Sequence, residues 1–193
     1  MSSDLSRLAR PQHGHFDLGT GFHGDLWLDL DALFLWPAQL RPAAQQLADH
    51  LRQYRPAAVC GPVAGGAFLA QLVAETLSAA FLPAYAEPGR PARYRLPHGA
   101  RDQIAGWRVA VVDDAVNAGT AVRASCQEIR AAGAEPVAVA ALLALGEASA
   151  VVTGVLGLPF HAAAALPSQV WPAGACPSCE AGAPLERPPP AGG

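Results

Sequence analysis

The sequence predicts an α/β protein: a doubly wound, mainly parallel sheet flanked by helices, with a small N-terminal hood. Three observations carry this reading. The runs "AAVCG" (57–61), "RVAVVD" (108–113) and "PVAVAALLAL" (136–145) are continuously apolar rather than alternating, the pattern of strands buried on both faces. Segments of helical period separate them. Glycine-rich turns, "GPVAGG" (61–66) and "NAGTA" (117–121), follow two of the strands.

Taken in order, "HFDLGTGFHG" (15–24) is rich in turn formers and "DLWLDL" (25–30) alternates with period two, which predicts a small hairpin unit over residues 13–35. Leu40, Ala44, Leu47 and Leu51 share one helical face, and the strand at 57–61 follows. Phe68, Leu69, Leu72, Val73 and Leu77 mark a second helix. A strand is expected at "FLPAYAE" (81–87), although Pro83 removes one ladder donor. Residues 86–106 read as an irregular, flexible loop. After the strand at 108–113, Val122, Cys126 and Ile129 share a helical face that ends at Gly133. The strand at 136–145 and another in "LPFHAAAAL" (158–166) complete the set. The domain is expected over residues 1–171. From about residue 172, "PAGACPSCEAGAPLERPPPAGG" offers little to bury and reads as a flexible tail to residue 193.

The 193 residues fit one domain, and 51% apolar content suffices for its core. A net charge of −3 and a pI near 6.0 leave no general positive field for nucleic acid. All 13 basic residues are arginine, so lysine chemistry is excluded. No apolar run approaches the roughly 20 residues of a membrane span, and the first residues lack the apolar core of a signal peptide. A cytoplasmic location without a membrane partner is the expectation. Its four cysteines are then expected as thiols, with Cys60 and Cys126 in the core. Cys176 and Cys179 form a C-x-x-C pair without a second such pair, and His13, His15 and His23 show no recognised ligand spacing, so no metal site is expected.

In open parallel sheets ligands bind beyond the carboxyl ends of the strands. Asp113 and Asp114 stand at such an end, where a buried strand has no use for two charges. The turn from Asn117 to Ala121 opens a helix, whose free N–H groups and dipole favour a phosphate, with Thr120 adding a hydroxyl. Carboxylates beside a phosphate are unfavourable unless they bind something else, and sugar hydroxyls are suitable donors. The alternative is a plain helix cap with a solvated charge. Gly61, Gly65 and Gly66 allow backbone N–H groups to approach an anion. Five arginines, Arg90, Arg93, Arg95, Arg101 and Arg108, fall between 90 and 108 with Asp102 opposing them. Their planar forks suit phosphate oxygens, and a loop of that length suits a lid.

On these residues the chain resembles the type I phosphoribosyltransferases. "VAVVDDAVNAGTA" (109–121) is similar to their ribose-phosphate signature. "GHFDLGTGFHGDLWLDL" (14–30), "GPVAGGAFLA" (61–70) and "VRASCQEIRAAGAEPVAVAALLAL" (122–145) extend the resemblance to the orotate phosphoribosyltransferases, over roughly residues 13–170. The resemblance implies a homodimer that transfers 5-phosphoribosyl from phosphoribosyl pyrophosphate to orotate. It implies ribose hydroxyls held by Asp113 and Asp114, the 5-phosphate by Asn117, Ala118, Gly119, Thr120 and Ala121, and further substrate contact at Ala115 and Val116. Gly61, Pro62, Val63, Ala64, Gly65 and Gly66 would face pyrophosphate, Arg90, Arg93 and Arg95 would close over it, and Mg²⁺ would be held mainly through the substrate. Displacement at the anomeric carbon needs no covalent nucleophile.

Two departures bear on the base. The orotate enzymes commonly have Thr at the position of Asn117, and an arginine near Glu147. Orotate carries a carboxylate, so His15, His23 and Arg123 are candidates for a replacement cation, and Phe16 and Phe22 for stacking. A purine or other nucleobase as acceptor is the alternative, as is a regulator that binds the sugar phosphate without turnover.

Overall fold

The structure is a computed structural model that describes residues 9–19, 21–63 and 65–187, the side chains of residues 90–92 excepted. The chain opens with a hairpin, β1 (Gln12–Asp17) and β2 (Phe22–Trp27), then a turn of helix α1 (Asp31–Phe34) and helix α2 (Pro37–Leu51). Strand β3 (Ala58–Pro62), helix α3 (Gly65–Leu77), strands β4 (Ala80–Glu87) and β5 (Arg90–Arg95), and a short helix α4 (His98–Arg101) follow. The second half comprises β6 (Arg108–Val116), α5 (Thr120–Ala131), β7 (Glu135–Leu145), α6 (Ala148–Val151), β8 (Phe160–Leu166), β9 (Val170–Pro172) and α7 (Pro177–Glu180).

Six strands form the main sheet in the order β5-β4-β3-β6-β7-β8, parallel throughout except for β5. The period-two geometry of a strand divides β6 between two cores. Ala110 and Val112 face α2 and α3, where they pack with Leu40, Leu47, Leu69 and Val73. Val109 and Val111 face α5 and pack with Val122, Cys126 and Ile129. A continuous apolar strand is thus required, because neither face meets water. Pro83 is accommodated because β5 pairs with β4 only at Tyr85–Glu87, so at Pro83 the strand has a neighbour on one side alone. No helix among the described residues is long and apolar enough to cross a membrane.

Two sequence expectations change. Residues 86–106 are not an irregular loop: β4 and β5 form an antiparallel hairpin on the sheet edge, followed by α4. Of the arginines that suggested a lid, Arg93, Arg95 and Arg101 are paired with Glu87 and Glu128, as described below. The segment after residue 172 is also ordered as far as Arg187. β9 joins β2 as the third strand of the hood sheet, and Glu186 bridges Phe16 alongside β1. Backbone ladders and polar side chains hold this segment, which explains why its low apolar content was misleading. Residues 188–193 lie outside the described residues.

Candidate active site

Strand β6 carries the acids beyond the point where it is covered on both faces. Asp113 is 6% exposed, and its Oδ1 accepts the Asp114 N–H at 3.0 Å. Asp114 is half-buried, and its Oδ1 accepts the Ala115 N–H at 2.7 Å. Burial, followed by the charge of Asp114, pushes the Asp113 carboxyl well above the usual carboxylate range. Burial also pushes Asp114 up, against the hydrogen bond from Ala115. Two carboxylates held this way are poised to accept hydrogen bonds from a ligand that replaces the lost water.

The glycines of α3 make this juxtaposition possible. A Cβ at Gly65 would collide with the Asp114 carboxylate, and one at Gly66 with that of Asp113. Gly61 lies behind this wall, where a Cβ would come within 2.8 Å of the Cα of Ala67. On the other side Gly119 adopts φ +68° directly before α5, a left-handed conformation that turns the chain from β6 into the helix. The first residues of this 12-residue helix line a recess of about 200 Å³ together with Val116, Asn117, Ala118 and Gly119.

This recess shares Asp113, Ala115, Asn117 and Ala121 with a cavity of about 990 Å³. Pro62, Val63, Gly65 and Gly66 form one wall of the cavity. Phe16, Leu26, Trp27 and Leu28 from the hood form another, so the hood roofs the carboxyl end of the sheet. Ala64 lies outside the described residues. Thus the predicted acids, the small turn and the glycine loop do converge on one site.

The arginine predictions fare differently. Arg93 Nε lies 3.5 Å from Glu87, which also binds Arg95. Arg95 and Arg101 both reach the buried Glu128 of α5, at 3.5 and 3.4 Å. Neither Arg93 nor Arg95 lines the cavity; Tyr94, between them, does. The side chain of Arg90 is outside the described residues. Arg108 sits at the opposite end of β6, against Tyr54 and Glu135. Reading Asp102 as the opposing acid missed Glu87 and Glu128, because their pairing depends on the hairpin and on α5.

Among the base-side candidates, Phe16 lines the large cavity and Phe22 the recess. Glu147 and Arg123 are exposed and line neither. His15 and His23 point instead at Cys176 and Cys179, so the expectation of an isolated cysteine pair does not hold. The sequence reading also missed Asp29, Asp31, Tyr94, Glu186 and Arg187 as lining residues. Arg187 enters only because the C-terminal segment returns to β1, for which "LER" carries no local signal.

The cavity lining therefore carries Asp29, Asp31, Asp113, Asp114 and Glu186 against Arg187. Hard carboxylate oxygens in this number suit Mg²⁺, which takes oxygen donors and keeps several waters. A polyphosphate would need such a cation to enter.

A parallel sheet with an acid pair and a small turn at its carboxyl edge, under an antiparallel hood, is the architecture of the type I phosphoribosyltransferases. The fold is similar to that of adenine phosphoribosyltransferase from Thermoanaerobacter pseudethanolicus, with a TM-score of 0.69 at 18% identity over 86% of this chain and 100% of that one. It is also similar to orotate phosphoribosyltransferase from Aeropyrum pernix, with a TM-score of 0.67 at 24% identity over 85% and 93% of the two chains. Sequence similarity is more selective. The chain is 30% identical to orotate phosphoribosyltransferase of Caldanaerobacter subterraneus over 91% of its length and 88% of the relative's. For those of Thermotoga maritima and Thermus thermophilus the figures are 30% over 95% and 94%, and 31% over 90% and 91%. No family model matches the sequence. The chain belongs to the orotate phosphoribosyltransferase family.

Proposed function

We propose that the protein transfers a 5-phosphoribosyl group from phosphoribosyl pyrophosphate to orotate, giving orotidine 5'-phosphate and pyrophosphate. The observation that carries this reading is the junction of Asp113 and Asp114 with the Asn117–Ala121 turn inside one roofed cavity. The ribose hydroxyls donate to the two carboxylates. The 5-phosphate occupies the recess at the start of α5, and pyrophosphate lies along Pro62–Gly66. A ring nitrogen of the base attacks the anomeric carbon as the bond to pyrophosphate breaks, through a state with oxocarbenium character. Fixing the sugar at both ends presents that carbon to the base, and the hood excludes water that would hydrolyse it.

Mg²⁺ bound to the substrate's own oxygens would find Asp31, Asp113 and Asp114 in the cavity lining and would supply charge neutralisation for the leaving pyrophosphate. Phe16 and Trp27 offer the base apolar surface. Arg187, 3.5 Å from Asp17 at the cavity rim, offers the cation that the orotate carboxylate needs and that Glu147 cannot supply. A homodimer is supported by Leu35, Trp36 and Phe68, which are 71%, 67% and 55% exposed, an unusual display of large apolar side chains. A cytoplasmic location is part of the same reading, and there the buried Cys60 and Cys126 would stay reduced.

The test is pyrophosphate release from phosphoribosyl pyrophosphate and Mg²⁺ with orotate and a panel of purine and pyrimidine bases. Turnover with orotate is the expected result. Turnover with purines alone would reject the assignment, and sugar-phosphate binding without turnover on any base would point to a regulator.

A further inference from the structure

Four potential metal ligands from the two ends of the chain meet away from the acid pair. Nitrogen atoms of His15 and His23 and the sulfur atoms of Cys176 and Cys179 all lie within 4.8 Å of one another. His15 and His23 come from β1 and β2, and the C-x-x-C pair brackets the start of α7. His15, His23 and Cys176 are buried, while Cys179 closes the cluster on the solvent side.

The individual distances have the form of a coordination shell. His15 Nε2 stands 3.2 Å from His23 Nδ1, 3.3 Å from Cys176 Sγ and 3.6 Å from Cys179 Sγ. Cys179 Sγ is 3.3 Å from His23 Nδ1. Ligands around tetrahedral zinc, with bonds of about 2.0–2.1 Å to nitrogen and about 2.3 Å to sulfur, lie about 3.4 Å apart for two nitrogens and about 3.6 Å for nitrogen and sulfur. The observed edges match within a few tenths of an ångström.

Hydrogen bonding alone does not account for the cluster. His15 Nδ1 is 3.1 Å from the carbonyl oxygen of Ala183, which can only accept, so Nδ1 bears the proton. In the neutral ring Nε2 then presents a single lone pair, yet three polar atoms converge on it within 3.6 Å. One lone pair cannot accept from all three, whereas one cation at their centre satisfies every member. The bond to Ala183 is also the kind of outer contact that fixes the tautomer of a metal-bound histidine.

We propose that His15, His23, Cys176 and Cys179 bind a structural Zn²⁺ that fastens the C-terminal segment to the hood. A nitrogen and sulfur donor set of two each, in tetrahedral array, selects zinc among common divalent ions. Four protein ligands leave no open position, so the site is structural rather than catalytic. Its location gives it a role in the neighbouring cavity. Beyond α7 the Glu186 N–H donates to the His15 carbonyl at 2.8 Å, and the Asp17 N–H donates to the Glu186 carbonyl at 2.9 Å. Glu186 and Arg187 thereby reach the cavity wall beside Phe16. The metal holds 15 to 17 and 183 to 187 in register, a task that the apolar content of the segment cannot perform.

The test uses the full chain produced without a histidine tag, dialysed against buffer and analysed for metals. About one equivalent of zinc per chain is expected, falling below about one tenth in the Cys176→Ser, Cys179→Ser double variant. Cobalt substitution of the unaltered chain gives an independent reading that needs no variant to fold. Intense visible d–d bands of tetrahedral Co²⁺ and a near-ultraviolet thiolate-to-cobalt band are expected, both lost when zinc is added back. An unaltered chain that takes up neither metal, a Cys176–Cys179 disulfide in freshly reduced protein, or zinc retained by the double variant would overturn the proposal. Failure of orotate turnover would leave the metal stoichiometry and the cobalt spectrum unchanged, so the two readings stand or fall separately.

Discussion

Gly66 packs against Asp113 with no room for a side chain: a Cβ there would strike the carboxylate Oδ1 and lie 3.1 Å from the Asp113 Cα and 3.0 Å from Pro62 Cδ. The start of α3 and the end of β6 are thereby interlocked at the base of the cavity. Backbone, rather than a flexible side-chain end, forms part of the obstruction, so relief requires one element to move. Gly66→Ala is expected to shift Asp113 relative to the Asn117–Ala121 turn. A misplacement approaching 1 Å costs about 10²-fold in rate. Steady-state kinetics should show kcat/KM for phosphoribosyl pyrophosphate reduced by about that factor, with far-UV circular dichroism unchanged. Retention of full activity would show that the contact does not set the geometry of the acid.

Asp113 also trades stability for function. Its carboxyl titrates above the unfolded-state range because burial and Asp114 disfavour the anion. The folded chain therefore binds the proton more tightly than the unfolded chain, and stability falls as pH rises from the unfolded pKa through the folded one. Above the folded pKa the ionised form carries this penalty. Asp113→Asn keeps an oxygen to accept the Asp114 N–H and removes the charge. The variant is expected to gain on the order of 1 kcal/mol at pH 7, as active-site substitutions of this kind do, while binding of phosphoribosyl pyrophosphate is lost. Denaturation at pH 7 and at pH 4 checks the sign, since the gain should shrink in acid.

The main sheet and the acid pair were legible because their causes are local. Val109–Val112 must be apolar on both faces, and two aspartates at the end of such a run have no structural use. Gly119 and Thr120 follow from the same stretch. The arginine pairing was illegible because Glu87 meets Arg93 and Arg95 only once β4 and β5 fold into a hairpin, and Glu128 reaches it from α5, a meeting that no spacing in sequence encodes. The hood was half legible. The alternation at 25–30 overlaps β2 only at its last three residues, the rest lying in the stretch read as turn formers, whereas β9 and the 183–187 segment are held by backbone pairing and by residues 161 positions apart, His15 and Cys176. Composition measures apolar burial, and this segment is organised by something else.

Glu128 is the acid on which the edge hairpin depends. It is 6% exposed, takes Arg95 and Arg101, and accepts the Leu96 N–H at 3.4 Å. Glu128→Gln retains shape and an acceptor but removes the charge that gathers two guanidinium groups. The expected outcome is a lower Tm together with faster amide exchange confined to residues 93–102, where β5 and α4 lie. Exchange unaltered in that segment would mean that the arginines are held by Glu87 and packing alone.

Arg187 offers the sharpest discrimination among acceptor bases. Its guanidinium is paired with Asp17 at 3.5 Å, and the other charged residues of the cavity lining are acidic. A base carrying a carboxylate gains from this group, and a purine without one does not. Loss of one charge-assisted hydrogen bond costs about 1.5 kcal/mol where the site is partly solvated, which corresponds to about tenfold in affinity. Arg187→Ala is therefore expected to raise KM for orotate about tenfold while KM for phosphoribosyl pyrophosphate stays within about twofold. Arg187→Lys retains charge without the planar fork and should fall between the two. Measuring both KM values for the three proteins separates a base-specific contact from general disturbance of the hood, because a collapsed hood would raise them together.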